Sequence, residues 1–247
     1  MEIQYGREYR NLYKRHWWWR AREEAIVDLL RRRVKTLSKL EILDVGCGDA
    51  LFFDRLSSFG NVEGIEPDSR LIDPANPHRS RIYTLQFDRQ FRPGKRYDLI
   101  LMLDVLEHLD NPEEALDSVR GLLGNNGVFL LTVPAFQILW TNHDVINHHR
   151  IRYRKKTLFP LLRKAGFAIS EARYWYQWTV PLKLPTHVVE KFISSQPSLP
   201  RVPPKWLNRT LFQLSRLEQR TIAPIGIPFG TTLMALCNNA HPVTAAK

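Results

Sequence analysis

The sequence predicts an α/β fold: a Rossmann-like, seven-stranded, mostly parallel sheet with helices on both faces. Three observations predict it. Short apolar runs suited to buried strands alternate with apolar residues at helical spacing along most of the chain. The run Tyr97-Asp98-Leu99-Ile100-Leu101-Met102-Leu103 is nearly continuous in apolar side chains, as a central parallel strand should be. Finally, Leu40 to Val45 leads through Gly46-Cys47-Gly48 into Leu51, Phe52 and Leu56, a strand, a glycine turn and a helix start. Glycines there let the backbone bend sharply and let a ligand approach it closely.

Residues 1–36 read as an N-terminal helical extension. Ala25, Ile26, Leu29 and Leu30 form its apolar stripe, and Arg31, Arg32, Arg33 and Lys35 close it where cations suit the helix dipole. Trp17, Trp18 and Trp19 point in different directions around a helix, so they cannot all face one core. At least one is expected to cover a cleft, a partner or a membrane interface, and Trp18 is the candidate for substrate contact. Residues 37–175 are the expected core. Val62 to Glu66 is a second strand ending in an acid, residues 69–80 a loop, and Ile82 to Gln86 a third strand. Asn111 as cap, Pro112, Glu113 and Glu114 open a helix after the fourth strand. Asn125-Asn126-Gly127 reads as a turn before a fifth strand, Val128 to Val133. A helix from Lys156 ends at Gly166, and Phe167 starts a sixth strand.

Residues 176–225 interrupt the alternation as a helical lid or insertion. A helix-like piece, Val188 to Ile193, and a proline-rich linker precede an amphipathic helix carrying Trp206, Leu207, Leu211, Phe212, Leu214 and Leu217, with bases at Lys205, Arg209, Arg216 and Arg220. Residues 226–247 bring the last strand, Gly230 to Leu236, beside the sixth, and a tail.

The 247 residues suit one α/β domain with additions, and 44% apolar content can bury a full core. Two cysteines, Cys47 and Cys237, are too few for a disulfide framework or a structural zinc site, which points to a reducing, cytoplasmic compartment. The first residues carry no apolar signal core, and no apolar run approaches the roughly 20 residues of a spanning helix. The net charge of +11 favours anionic partners: an acidic membrane surface, phosphate-bearing substrates or nucleic acid.

A dinucleotide fingerprint would need a third glycine at position 51, where Leu51 stands, and no phosphate-cradling G-x-x-x-x-G-K motif is present. Glu66 lies about 20 residues beyond Gly46, the spacing of a ribose-binding carboxylate. The form D-x-G-x-G-x-A at Asp44 to Ala50, with G-I-E-P-D, Y-D-L-I-L-M-L-D-V-L-E-H-L and the closing strand, resembles the ordered motifs of class I S-adenosylmethionine-dependent methyltransferases. Ala50 departs from that family's usual third glycine. The likeness covers about residues 16–175 and the extreme C-terminus. It is most similar to the group acting on small or lipid-linked molecules, such as ubiquinone- and glycan-modifying enzymes. It implies that Gly46, Gly48, Glu66, Asp88 and Asp104 line a pocket for S-adenosylmethionine, with Asp44, Cys47, Pro67 and Val105 beside them. Asp88 would bond the adenine amino group, and Phe87 would pack on the adenine face.

The segment His143-Asp144 to His149-x-x-Arg152-Tyr153 resembles a substrate-side segment of the same group. Its histidines are six apart in an expected loop without a cysteine or carboxylate cluster beyond Asp144, so no metal site is expected. Asp144, Arg152 and Tyr153 are the expected acceptor contacts, Arg152 as a holder of carboxylate or phosphate. Methyl transfer from a sulfonium asks the protein mainly to align donor and acceptor and exclude water. An oxygen or nitrogen acceptor also needs a proton removed, for which His108, His143 and His149 are candidates. The expected activity is methyl transfer to O or N of a small-molecule or lipid- or glycan-linked acceptor, peripheral to the inner face of the membrane. The competing readings are an RNA methyltransferase, opposed by Asp104-Val105-Leu106-Glu107 standing where an N/D-P-P-[YF] tetrad would, and a non-catalytic S-adenosylmethionine-binding protein.

Overall fold

A computed structural model describes residues 3–34, 39–183 and 200–240, with side chains from residue 8. Its elements are α1 (Ile3–Arg15), α2 (Trp17–Arg33), β1 (Leu40–Val45), α3 (Phe53–Leu56), β2 (Gly60–Ile65), β3 (Ile82–Tyr83), β4 (Tyr97–Leu103), α4 (Pro112–Leu122), β5 (Leu123–Pro134), α5 (Asn142–Ile146), α6 (Lys155–Lys164), β6 (Phe167–Trp175), α7 (Lys205–Thr221) and β7 (Thr232–Asn239). The strands form one seven-stranded sheet in the order β3-β2-β1-β4-β5-β7-β6. The pairs β1–β2, β1–β4, β2–β3 and β4–β5 are parallel. At the other edge, Ala240 N–H donates to Gly166 O and Thr231 N–H to Trp175 O, so β7 runs opposite to β6. The expected sheet is therefore present, and it is mixed.

The third strand is shorter than its sequence suggests, ending at Tyr83, where the chain leaves the ladder toward Phe87. The fifth is longer. Tyr97 faces Leu123 and Leu99 faces Val128, so the Asn125-Asn126-Gly127 turn is absorbed as a register shift inside β5 rather than preceding it. The expected helix-like piece at Val188 to Ile193, the first part of its linker (194–199) and the tail 241–247 lie outside the described residues.

The chain divides into two compact units, 36–133, 153–172 and 233–247 forming one, and 1–35, 134–152 and 173–232 the other. They interleave along the sequence, where composition and pattern suggest contiguous blocks.

The first of these, the sheet unit, buries Ile42, Leu43, Leu99, Ile100, Leu101, Leu130 and Leu131 completely. Asn111 caps α4, accepting the Glu114 N–H, with Pro112 in the first turn, as expected.

In the second, the helical unit, the expected single N-terminal helix is two. His16 breaks it: its backbone is extended and its Nδ1 accepts the Trp18 N–H, which caps α2. The stripe Ala25, Ile26, Leu29 and Leu30 is buried. Trp19 is buried, Trp18 stacks on Tyr176 at 5.8 Å, and Trp17 meets Trp178 at 5.4 Å. Helix α7 packs on α2 with a polar face. Its buried residues are Asn208, Ser215, Arg216, Glu218 and Gln219. Each is bonded. Asn208 bonds Trp17 N and Arg15 O, Ser215 donates to Leu211 O, Arg216 reaches Asp28 and Gln219, and the Glu218 carboxylate accepts from Tyr176 N and Trp178 N. Because that face docks, Trp206, Leu214 and Leu217 point to solvent.

Candidate active site

In the sheet unit the three carboxylates of the sequence motifs sit at the carboxyl ends of neighbouring strands, where open α/β sheets bind ligands: Asp44 in β1, Glu66 after β2, Asp104 after β4. After β1 the chain keeps bonding β2, Gly46 N–H and Cys47 N–H both donating to Ile65 O at 2.8 and 3.1 Å. It then turns with Gly46 at φ +72° and Gly48 at +54°, left-handed conformations that glycine adopts without strain. A Cβ on Gly46 would lie 2.5 Å from Val105 Cγ2, which places Val105 against the turn. A Cβ on Gly48 would meet nothing within 4 Å, so room stands open above that backbone. Ala50, in the position of the missing third glycine, is left-handed too, at φ +51°.

Glu66 is buried and ties the glycine turn to the backbone at Asp68. Its Oε2 accepts the Gly48 N–H at 3.0 Å, and its Oε1 the Asp68 N–H at 2.9 Å. Burial raises its pKa, with those two N–H donors pulling the other way. Cys47 is pushed far up by burial and by the charges of Asp44 and Glu66, so it stays a thiol. Asp104 is left-handed at φ +56°; its N–H donates to Thr132 O, and Thr132 Oγ1 donates to its carboxylate at 3.2 Å. Pro67 is exposed. Asp88 accepts the Gln90 N–H at 2.7 Å, and Phe87 packs at 6.3 Å from Phe91. The backbone N–H of His108 donates to Val105 O in the short turn after β4. Tyr153 is buried, its hydroxyl pushed up to about 12 by burial and then by the Glu107 charge. Asp49 carries no motif signal in the sequence, yet it accepts the Asp73 N–H and the Asn76 amide and so anchors the loop after β2.

In the helical unit, Asp144 gathers the substrate-side segment. It lies on α5, a short helix where a loop was expected, and is fully buried. His149 Nδ1 lies 2.8 Å from its Oδ1; Arg152 donates to it twice, Nε to Oδ1 at 2.9 Å and Nη2 to Oδ2 at 2.8 Å; Thr141 N–H donates to Oδ2 at 2.8 Å. Burial alone would raise the Asp144 pKa, but the bonds from His149 and Arg152 outweigh it and hold it well below the usual carboxylate range. Arg152 Nη1 also donates to Ala135 O at 3.2 Å. The sequence offers Asp144 and Arg152 as acceptor contacts. Both are buried, Arg152 is 4% exposed, and its fork is held by Asp144 and Ala135. His143 is held neutral by burial, with its pKa lowered to about 3, which makes it a weak base. The Thr141-x-x-Asp144 spacing of a capping box was the sequence signal for this helix start. Trp18 lies stacked on Tyr176, and the Arg22 guanidinium stands 4.9 Å from its ring centroid.

The family described as "Methyltransferase domain" matches residues 18–172. The mitochondrial ubiquinone biosynthesis O-methyltransferase of Candida albicans is 27% identical over 137 residues, covering 51% of this chain and 42% of that protein. The chain therefore spans less than half the length of this relative. Among solved structures, the methyltransferase in complex with the Haloferax volcanii Trm112 methyltransferase activator has a TM-score of 0.59 at 16% identity, covering 99% of this chain and 96% of that one. A S-adenosylmethionine-dependent methyltransferase from Clostridium acetobutylicum has a TM-score of 0.55 at 11% identity, covering 89% and 91%. Those two similarities establish the fold.

Proposed function

The chain belongs to the methyltransferase-domain family of class I S-adenosylmethionine-dependent type, and from that premise we propose that it methylates an oxygen of a small-molecule or lipid-linked acceptor. The likeness to a ubiquinone biosynthesis O-methyltransferase supports oxygen as the atom. The observation that carries the proposal is the glycine turn clamped by Glu66. Its open backbone at Gly48 fits the amino-acid end of S-adenosylmethionine, and Glu66, with two N–H donors already on its oxygens, fits a ribose diol. Cys47, Val105 and Asp104 complete that binding surface, with Phe87 and Asp88 on the adenine side. When bound, the donor supplies an activated methyl group, so no metal or covalent intermediate is needed.

His149 is the proposed base. An ionised Asp144 bonding Nδ1 favours the tautomer with the proton on Nδ1, which makes Nε2 the atom that takes the acceptor's hydroxyl proton. His149 would take the acceptor's hydroxyl proton, and the donor, when bound, would supply the methyl group. Arg152 acts here as a positioning residue that holds Asp144. We place the protein at the inner face of a membrane, in keeping with a lipid-linked acceptor and its charge of +11; no described helix is long and apolar enough to cross one.

Calorimetry with S-adenosylmethionine and transfer of labelled methyl into lipid, RNA and small-molecule fractions of a cell extract test this. Glu66→Ala is expected to lose donor binding. His149→Ala is expected to keep donor binding while transfer falls about 100-fold, the usual size of a general-base contribution. Label in the RNA fraction alone overturns the acceptor class, and no donor binding by the unaltered protein overturns the whole reading.

A further inference from the structure

The apolar face of α7 has no place in that chemistry, yet it is organised. Trp206 and Leu217, exposed at 72% and 59%, are eleven residues apart, roughly three turns, and so share one side of the helix. Ile225, exposed at 77%, and Phe229 follow the helix in the chain. Surface apolar residues scattered singly are ordinary; several of them on one helix and the turn that follows it suit an interaction face. Near Trp206, Lys205 and Arg209, four apart, join Arg20 of α2 around a cleft of about 300 Å³ that Asn208, Phe212 and Gln213 also line. The Arg20 guanidinium stands 4.7 Å over the Phe212 ring. Among the described residues, no carboxylate lines that cleft.

We infer that this face of the helical unit docks on an anionic lipid bilayer, with lipid phosphates in the cleft of Arg20, Lys205 and Arg209 and with Trp206 and Leu217 entering the headgroup boundary. Two features favour a bilayer over a protein groove. Trp206 and Leu217 lie on one side of the helix with Lys205 and Arg209 near Trp206, the pattern of a helix lying flat in an interface. The charge of the whole chain is complementary to an acidic leaflet. A tryptophan on that side fits the same boundary, since its ring is apolar with one polar N–H. The docking deepens the lipid side of the proposed function, but it needs neither donor nor methyl transfer.

Sedimentation of the full chain with vesicles tests it, comparing pure phosphatidylcholine with phosphatidylcholine containing phosphatidylglycerol. Binding is expected only to the acidic vesicles, and to weaken at high salt. Lys205→Gln with Arg209→Gln should cost roughly 25-fold, about fivefold for each charge. Trp206→Ala with Leu217→Ser should release the protein from acidic vesicles at unchanged charge. Thermal melting and S-adenosylmethionine calorimetry on each variant are expected to match the unaltered protein, which separates lost docking from lost fold or lost donor binding. Equal binding to neutral and acidic vesicles, binding that the two double variants leave intact, or retention of RNA in place of vesicles would each overturn the inference.

Discussion

The glycine turn and the Asp144 network hold their polar groups by opposite means. At the turn the backbone does the holding: Gly46 and Cys47 N–H groups donate to Ile65 O, and Gly48 N–H donates to Glu66. Side chains there are few, and the conformation at Gly46 and Gly48 excludes most of them. Around Asp144 the side chains do it, with one buried carboxylate taking bonds from His149, Arg152 and Thr141. A backbone-built site leaves open space for a ligand. A side-chain-built one fills its own space and exports only an orientation, here that of the His149 ring. Asp144 and Arg152, which the sequence offers as acceptor contacts, are buried and bonded to each other.

The largest break in that comparison is Asp144→Ala. It strands the buried Arg152 guanidinium and should cost about 3–5 kcal/mol, read as a lower denaturant midpoint. Adding Arg152→Met should recover a good part of the loss. A double variant as unstable as the single one would show that the charge is not what matters. At the turn the expected effects are smaller and of opposite sign for opposite changes. Gly46→Ala forces alanine to φ +72° and against Val105, costing about 1–2 kcal/mol for the backbone alone. Ala50→Gly relieves a residue at φ +51° and should raise the melting temperature. If both changes destabilise, packing of the Ala50 methyl outweighs its strain.

A further probe is pH. His143 and His16 are lowered by burial to about 3 and about 4 from 6.5, so the unfolded chain binds their protons more readily than the folded one. Stability should be level above about pH 6.5 and fall as the pH drops toward 4, by up to about 1.4 kcal/mol per pH unit for each histidine. Asp144, whose pKa is depressed, contributes fully across that range and begins to fail only below the ordinary carboxylate pKa. His143→Gln should flatten the acid limb, and an unchanged slope would assign the loss elsewhere.

Local pattern made part of this molecule legible in its chain. Strand runs of apolar residues, glycines at a turn, a capped helix start at Asn111 and an acid 20 residues past the turn are all short-range signals. They located the sheet and the glycine turn with Glu66 beside it, because buried parallel strands and left-handed turns tolerate few residue types. Amphipathic spacing also found α7, but not which face it would bury. Asn208, Arg216 and Glu218 find partners more than 40 residues away in sequence, on α1, α2 and the turn after β6, and no periodicity encodes that. The same holds for Asp144. Its neighbours in the chain are visible in the sequence, but whether a charged pair is spent on each other or offered to a ligand is decided by burial, which only the assembled tertiary structure sets.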